Sequence, residues 1–360
     1  MRAWEREAPD INTDQLHKSE KNAVGMGLVA LNELFGRWGE PAYRSIQVFE
    51  GIYKHRWSNW QQFSNLSKEL RDKLATELII EWPLLDCSLL SSDGASKHTV
   101  RLIDGKHVEC VYIPYDGRAT MCISSQVGCA MGCAFCATGS MGIVRNLLAA
   151  EIVGQVLAMA KYHRHPKDLP LNIVLMGMGE PLHNLKQVMD AFAILNHPKG
   201  MAIPPRRVTI STSGLVPGII KLGEYSPRPR LALSLNATTD IARTKIMPVN
   251  SVWGLDQLSR ALKSFPLHAD EQITLEYVVI KGISDSMEDA RRISDFANQF
   301  PSKINLIPYN QLQMSEYLPP TETLLNEMGS YLADRGHVVS IRRSRGQDIG
   351  GACGQLVIAK

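Results

Sequence analysis

The chain has 360 residues, 44% hydrophobic and 21% charged, with a net charge of +3 and a pI of about 8.4. These values fit a folded globular chain of one large domain with an appendage, and they exclude a disordered or fibrous one. No apolar run reaches the roughly 18 residues that span a bilayer, and the polar MRAWEREAPDINTD lacks the apolar stretch of a secretion signal. A cytoplasmic protein without membrane contact is expected, with MRAWEREAPD as a disordered leader, and the slight positive charge permits a nucleic-acid partner without requiring one.

Residues 1–95 repeat apolar residues at helical spacing in VGMGLVALNELFGRWG, YRSIQVFEGIYKHRW and LSKELRDKLATELII. Trp38-Gly39-Glu40-Pro41 divides the first two segments, and Ser64-Asn65-Leu66-Ser67 offers a cap to the third. This predicts a small N-terminal helical accessory domain. Arg37, Arg44, Lys54, His55 and Arg56 beside Trp57 and Trp60 suit nucleic acid; a solvated helical face over packed tryptophans fits the same residues. Residues 97–116 alternate apolar and polar around Asp104-Gly105, a hairpin signal, so 96–120 is expected to link two domains.

From 121 to 360 short β-rich runs alternate with amphipathic helices. The strands are MCISSQV, 172–177, 207–212, 231–235, 273–280, 303–308 and 338–342, with helices near 149–162, 185–196, 216–224, 255–264, 287–299 and 321–335. Such alternation predicts an α/β fold with a parallel sheet. Six or seven units suit an incomplete or closed barrel, where function collects at the C-terminal strand ends. Those ends carry Gly177-Met178-Gly179-Glu180-Pro181, Ser211-Thr212-Ser213-Gly214, Ser234-Leu235-Asn236 and Pro308-Tyr309-Asn310, which together line a pocket for a polar small molecule.

The seven cysteines are Cys87, Cys110, Cys122, Cys129, Cys133, Cys136 and Cys353. An odd number in a chain of cytosolic character argues against a structural disulfide framework and for metal or catalytic use. Cys129, Cys133 and Cys136 form C-x3-C-x2-C in a peptide rich in small residues. Three thiolates suit zinc, copper or an iron–sulfur cluster, and three ligands on a four-site object leave one site open for chemistry. A zinc site completed by Cys122 or a histidine remains an alternative, and with it a zinc-stabilised RNA-binding protein without catalysis. Cys353 stands in the glycine-dense GQDIGGACGQL, where the backbone can approach a ligand closely. Cys87 and Cys110 read as small buried hydrophobes.

CAMGCAFC resembles the cysteine signature of radical S-adenosylmethionine (SAM) enzymes. SSQVGC, CATG, RNL, MGMGEPL, STSGLVPGI, LALSLNATTD, MPVN, INLIPYN and ACGQL, in that order, resemble the RlmN/Cfr family of RNA adenine methyltransferases across residues 30–357. The resemblance implies a partial (β/α)6-type barrel with an RNA-binding helical accessory domain. It implies a single 4Fe–4S cluster on Cys129, Cys133 and Cys136, and two SAM molecules per turnover. Glu180 would hold the SAM amino group, with Gly179, Ser211, Ser234, Leu235, Asn236 and Asn310 completing the pocket. Asn236 departs from the histidine of many relatives, although its amide can still hydrogen-bond.

The resemblance also implies a catalytic scheme. An adenine carbon is too weak a nucleophile for the SAM methyl, whereas a thiolate is not. Cys353 would take the methyl from one SAM. A radical from a second SAM would abstract hydrogen from that methyl, and the methylene radical would add to the base. Glu109 would accept the ring proton. Cys122 would then attack the Cys353 sulfur, releasing RNA and leaving a transient disulfide. The implied substrates are 23S rRNA at the peptidyl-transferase centre and tRNA beside the anticodon, methylated on carbon 2; a Cfr-type carbon-8 enzyme would use the same cysteines. An electron donor such as flavodoxin or ferredoxin and a monomeric state are expected. The basic clusters Arg206-Arg207, Arg228, Arg230 and Arg291-Arg292 fit solvated surface, while Arg342, Arg343 and Arg345, just before the Cys353 loop, are expected to contact RNA phosphate.

Overall fold

The computed structural model describes residues 21–312 and 315–358; the MRAWEREAPD leader lies outside them. The accessory helices are α1 (Leu28–Arg37), α2 (Ala42–Phe49, widening into a π turn over Glu50–Lys54) and α3 (Lys68–Glu77). Ser67 caps α3, its hydroxyl accepting from the Leu70 amide at 3.2 Å. Leu31, Phe35, Val48, Phe49, Ile52 and Phe63 are fully buried between them. Trp60 belongs to this core, its indole N–H donating to Leu78 O at 2.8 Å, and Trp57 packs edge-on against Phe63. Arg56 donates to the carbonyls of Ala160 and His165. These three residues are therefore packing and anchoring groups, while Arg37, Lys54 and His55 are exposed.

One sheet of ten strands runs through the rest. Its first four are antiparallel: β1 (Leu84–Leu90), β2 (Ser96–Arg101), β3 (His107–Tyr115) and β4 (Arg118–Cys122). The hairpin foreseen around Asp104-Gly105 is thus β2–β3. Its strands are hydrogen-bonded into the main sheet on both sides, not set apart as a linker. Alternation reveals the hairpin but not that its neighbours β1 and β4 extend it into a four-stranded meander.

From β4 onward pairing is parallel, through β7 (Leu171–Leu175), β8 (Val208–Thr212), β9 (Arg230–Ser234), β10 (Ile273–Val279), β11 (Ser302–Pro308) and β12 (Val339–Ile341). After the short α4 (Ala137–Ser140), the connecting helices include α5 (Ala149–Tyr162), α6 (Leu185–Asn196), α7 (Val216–Gly223), α8 (Asp240–Ile246), α9 (Leu255–Lys263), α10 (Met287–Ala297) and α11 (Glu322–Asp334). This makes six β/α units followed by β12, a partial barrel as the resemblance implied. β1 and β12 do not pair, so the barrel is open. The C-terminal segment spans the opening: Asp348 accepts from Ser91 Oγ and Ser92 N, and Arg345 donates to the carbonyls of Asp93 and Pro114.

MCISSQV is two pieces. The backbone leaves the sheet after Cys122, and β5 (Gln126–Gly128) pairs with β6 (Ile143–Asn146) in a separate ribbon. Side chains replace the ladder in between. The Ser124 amide donates to Gln155 Oε1 at 2.9 Å, and its hydroxyl donates to Glu109 O at 2.6 Å and accepts from Met178 N at 2.8 Å.

Candidate active site

The cysteine loop hangs from the β5–β6 ribbon. Gly128 takes φ +75°, and a Cβ there would fall 1.9 Å from Gly142 O. The loop then closes on itself through Cys129 N to Gly142 O (2.8 Å), Cys136 N to Cys133 O (3.1 Å) and Gly139 N to Cys136 O (3.1 Å). Glycine is required at 139 as well, because a Cβ would sit 2.8 Å from Cys133 O. Cys129, Cys133 and Cys136 all line one cavity of about 150 Å3, together with Gly179, Glu180, Ser211, Ser234, Asn236, Asn310 and Cys353. Burial first, and then neighbouring thiols, push Cys129 and Cys133 above the ordinary thiol range. These thiols would ionise by binding a cationic group. Among the described residues no lysine, arginine or histidine lines the cavity. Three thiols and a carboxylate are a donor set that fits a thiolate-bound cluster with an amino-acid ligand beside it. Among the described residues no three His, Cys, Asp or Glu side chains gather as a single metal ion needs.

The Gly177–Pro181 loop is zipped onto the segment after β4. Gly177 N donates to Ile123 O at 3.1 Å and Ser125 N to Met178 O at 2.8 Å. Gly179 has φ +103°, and a Cβ would stand 2.6 Å from Gln126 Cβ. Gln126 Oε1 accepts from Glu180 N at 2.9 Å. Glu180 is buried, and its carboxylate accepts from Ser213 N and Ser213 Oγ, both at 2.8 Å, and from Leu182 N at 3.2 Å. Burial raises its pKa and the Ser213 hydrogen bonds oppose that rise. Ser211 and Ser234 stand 3.4 Å apart by their hydroxyls. Asn236 adopts φ +56°, which asparagine tolerates, and its Oδ1 accepts from Val278 N at 2.9 Å. Leu235 differs from the expectation: its side chain is buried in the core, off the cavity.

Cys353 joins this cavity through its backbone. Asn310 Nδ2 donates to Cys353 O at 3.0 Å, and Ala137 N donates to Gly354 O at 2.7 Å. Cys122, at the end of β4, is pushed up to about 12 by burial and then by the neighbouring Cys353, with Arg342 opposing both. All seven cysteines are free thiols. Glu109 on β3 is buried, with Lys97 Nζ 2.9 Å from one oxygen and Val357 N donating to the other at 2.8 Å. Burial raises its pKa, against the pull of Lys97.

Several residues escaped sequence reasoning. Arg342 turns inward, 3.3 Å from Glu276; Arg345 grips backbone carbonyls; only Arg343 of that trio is exposed, paired with Glu322. The phosphate contact expected of Arg342 and Arg345 is therefore replaced by internal contacts. Arg228 is also internal, paired with Glu271 at 2.6 Å. Gln126, Ser213 and Lys97 support site residues, and each had only a short motif or a lone charge as its signal. Arg243 is fully buried beneath the strand ends.

A family model of the radical SAM superfamily matches residues 123–293, and one described as the ribosomal RNA large subunit methyltransferase N-terminal domain matches residues 21–80. The chain is 46% identical to the dual-specificity RNA methyltransferase RlmN of Syntrophotalea carbinolica, over 96% of this chain and 92% of that one. It is 44% identical to the protein of that name from Pelobacter propionicus, over 91% and 93%. A crystal structure of a radical SAM methyltransferase from Sphaerobacter thermophilus superposes with a TM-score of 0.88 at 37% identity, covering 93% of this chain and 98% of that one. These matches set aside the zinc-stabilised, non-catalytic reading and bring a 4Fe–4S cluster and SAM as cofactors. The chain belongs to the RlmN family of radical SAM RNA methyltransferases.

Proposed function

We propose that the protein methylates carbon 2 of adenosine in 23S rRNA at the peptidyl-transferase centre and in tRNA beside the anticodon. Its methyl carrier is Cys353. The observation that carries this reading is the shared cavity: Cys353, the three cysteines of the loop and Glu180 line the same space. When bound, the cluster on Cys129, Cys133 and Cys136 supplies the electron that cleaves SAM. Glu180 holds the SAM amino group, with Gly179, Ser211, Ser234, Asn236 and Asn310 around the rest and Leu235 contributing its backbone.

The chain's own residues do the remaining work. Cys353 as thiolate displaces the methyl of SAM, forming an S–C bond and releasing S-adenosylhomocysteine. The target base reaches the site unstacked, as base-modifying enzymes require, through the opening lined by Lys97, Gln347, Gly350 and Gln355. Glu109, with its raised pKa, accepts the ring proton near neutral pH. The Cys122 thiolate attacks Cys353 Sγ. The S–S bond forms as the Sγ–C bond breaks, the electron pair leaves with the methylene carbon by then joined to the base, that carbon takes a proton to become the product methyl, and the disulfide is later reduced. A flavodoxin- or ferredoxin-like donor, a monomeric state and a cytoplasmic location complete the proposal.

Nucleoside mass spectrometry of RNA modified by the reconstituted enzyme tests it. The expected product is 2-methyladenosine in both RNAs. Recovery of 8-methyladenosine alone would overturn the carbon-2 assignment.

A further inference from the structure

Arg243 has no place in the scheme above. It lies on α8, fully buried, and all its hydrogen bonds run to neutral acceptors: Ser213 O at 2.6 Å, Leu235 O at 3.0 Å, Ser234 O at 3.1 Å and Asn250 Oδ1 at 3.0 Å. Among the described residues it forms no ion pair. A buried guanidinium without a carboxylate partner is strongly disfavoured unless something nearby carries the opposite charge. Burial lowers its pKa only to about 10, with Cys133 and then Asp240 holding it up, so the group stays charged at neutral pH.

Its surroundings are built to keep it there. Gly214 takes φ +104°, and a Cβ would come within 3.1 Å of Arg243 Nη2. The end of α8 is hydrogen-bonded to the cysteine loop, Ala134 N donating to Ile246 O at 2.9 Å. Ser213, gripped by its carbonyl, is the residue whose N–H and hydroxyl fix Glu180. Ser234 ends β9, the next strand of the pocket, and Leu235 follows it.

We propose that Arg243 is a positioning residue with two effects: its charge is the buried countercharge of the cluster at the Cys133 end of the loop, and its planar fork clamps the β8 and β9 loops that form the SAM pocket. A cluster held by three thiolates is anionic and becomes more so on reduction. A fixed cation nearby in a low-dielectric interior favours the added electron and raises the potential. The fork supplies donors in several directions at once, which an ammonium on a single nitrogen cannot match. The inference goes beyond the methylation reading and holds whichever adenine carbon is modified.

The test uses the anaerobically reconstituted full chain, with cluster midpoint potential and SAM affinity as readouts separate from turnover. Arg243→Gln should assemble the cluster at a more negative midpoint potential than the parent. Arg243→Lys should keep the parent potential at neutral pH while SAM binds about tenfold more weakly. An unchanged potential in Arg243→Gln overturns the countercharge, and unchanged SAM affinity in Arg243→Lys overturns the clamp. Should Arg243→Gln not fold, Arg243→Lys carries the charge test: a buried ammonium loses its proton at lower pH than a guanidinium, so its potential should fall below the parent's toward alkaline pH, and parallel pH profiles overturn the countercharge.

Discussion

Lys97 Nζ stands 2.9 Å from one oxygen of Glu109, and the Val357 amide donates to the other at 2.8 Å. The buried Cys110 thiol, next in sequence, feels the same carboxylate, which helps hold it protonated. Burial favours the protonated acid, and Lys97 favours the carboxylate. Removing the cation therefore raises the pKa further, and the base form appears only at higher pH. Lys97→Met should shift the acid limb of the pH–rate profile upward and depress turnover at neutral pH, with Lys97→Arg close to the parent. Glu109→Gln should stop product formation while 5′-deoxyadenosine is still produced. The two thiols separate in the same way. Cys353→Ala should abolish methylation with iron content and SAM binding intact, whereas Cys122→Ala should accumulate a covalent protein–RNA adduct, seen as a shifted band on a denaturing gel. That Cys129, Cys133, Cys136 and Cys353 line one cavity was legible, because thiol spacing and a family pattern are strong signals. Lys97 and Arg243 were not, because a single basic residue in SKHTVR or DIARTKI looks like ordinary surface charge until the fold shows what lies above it.

At the scale of elements, the parallel strands and their helices stood close to where periodicity placed them, since buried strands and amphipathic helices have different repeats. What periodicity could not supply was pairing between distant segments. The joining of β4 to β7 and the docking of the Gly177–Pro181 loop on Ser124–Gln126 both depend on contacts 50 or so residues apart. That docking leaves no room for a side chain at Gly179, where a Cβ would overlap Gln126 and the backbone is left-handed. Gly179→Ala carries strain on the order of 1–3 kcal/mol, which moves Glu180 or forces Gln126 away. SAM affinity measured by calorimetry should fall about tenfold or more, while the cysteine loop, held by the separate β5–β6 ribbon, should still take up iron. Loss of the cluster together with SAM binding would show that the two loops do not fold independently.

At the scale of the molecule, an open barrel has two sheet edges to bridge, and the segment 343–357 crosses between them carrying Cys353. It is tied at one end to the β1–β2 turn by Asp348 and by Gly346 N to Asp93 Oδ2 at 2.8 Å. At the other end it meets the cysteine loop through Thr138 Oγ1 to Leu356 O at 2.6 Å, and Glu109 through Val357. The antiparallel strands therefore do more than extend the sheet: they hold one anchor of the strap and, on β3, Glu109, the proposed proton acceptor. If the strap sets where Cys353 sits, weakening its far anchor should impair the carrier and spare the cluster. Asp348→Ala removes the two hydrogen bonds from Ser91 and Ser92 without touching the cavity. SAM-dependent methylation of Cys353, followed by the mass of its tryptic peptide, should slow several-fold, while reductive cleavage of SAM proceeds at the parental rate. Equal slowing of both reactions would instead place the strap's contribution in the barrel as a whole, and no slowing of either would show that the contacts around Gly354 and Asn310 are sufficient to seat Cys353.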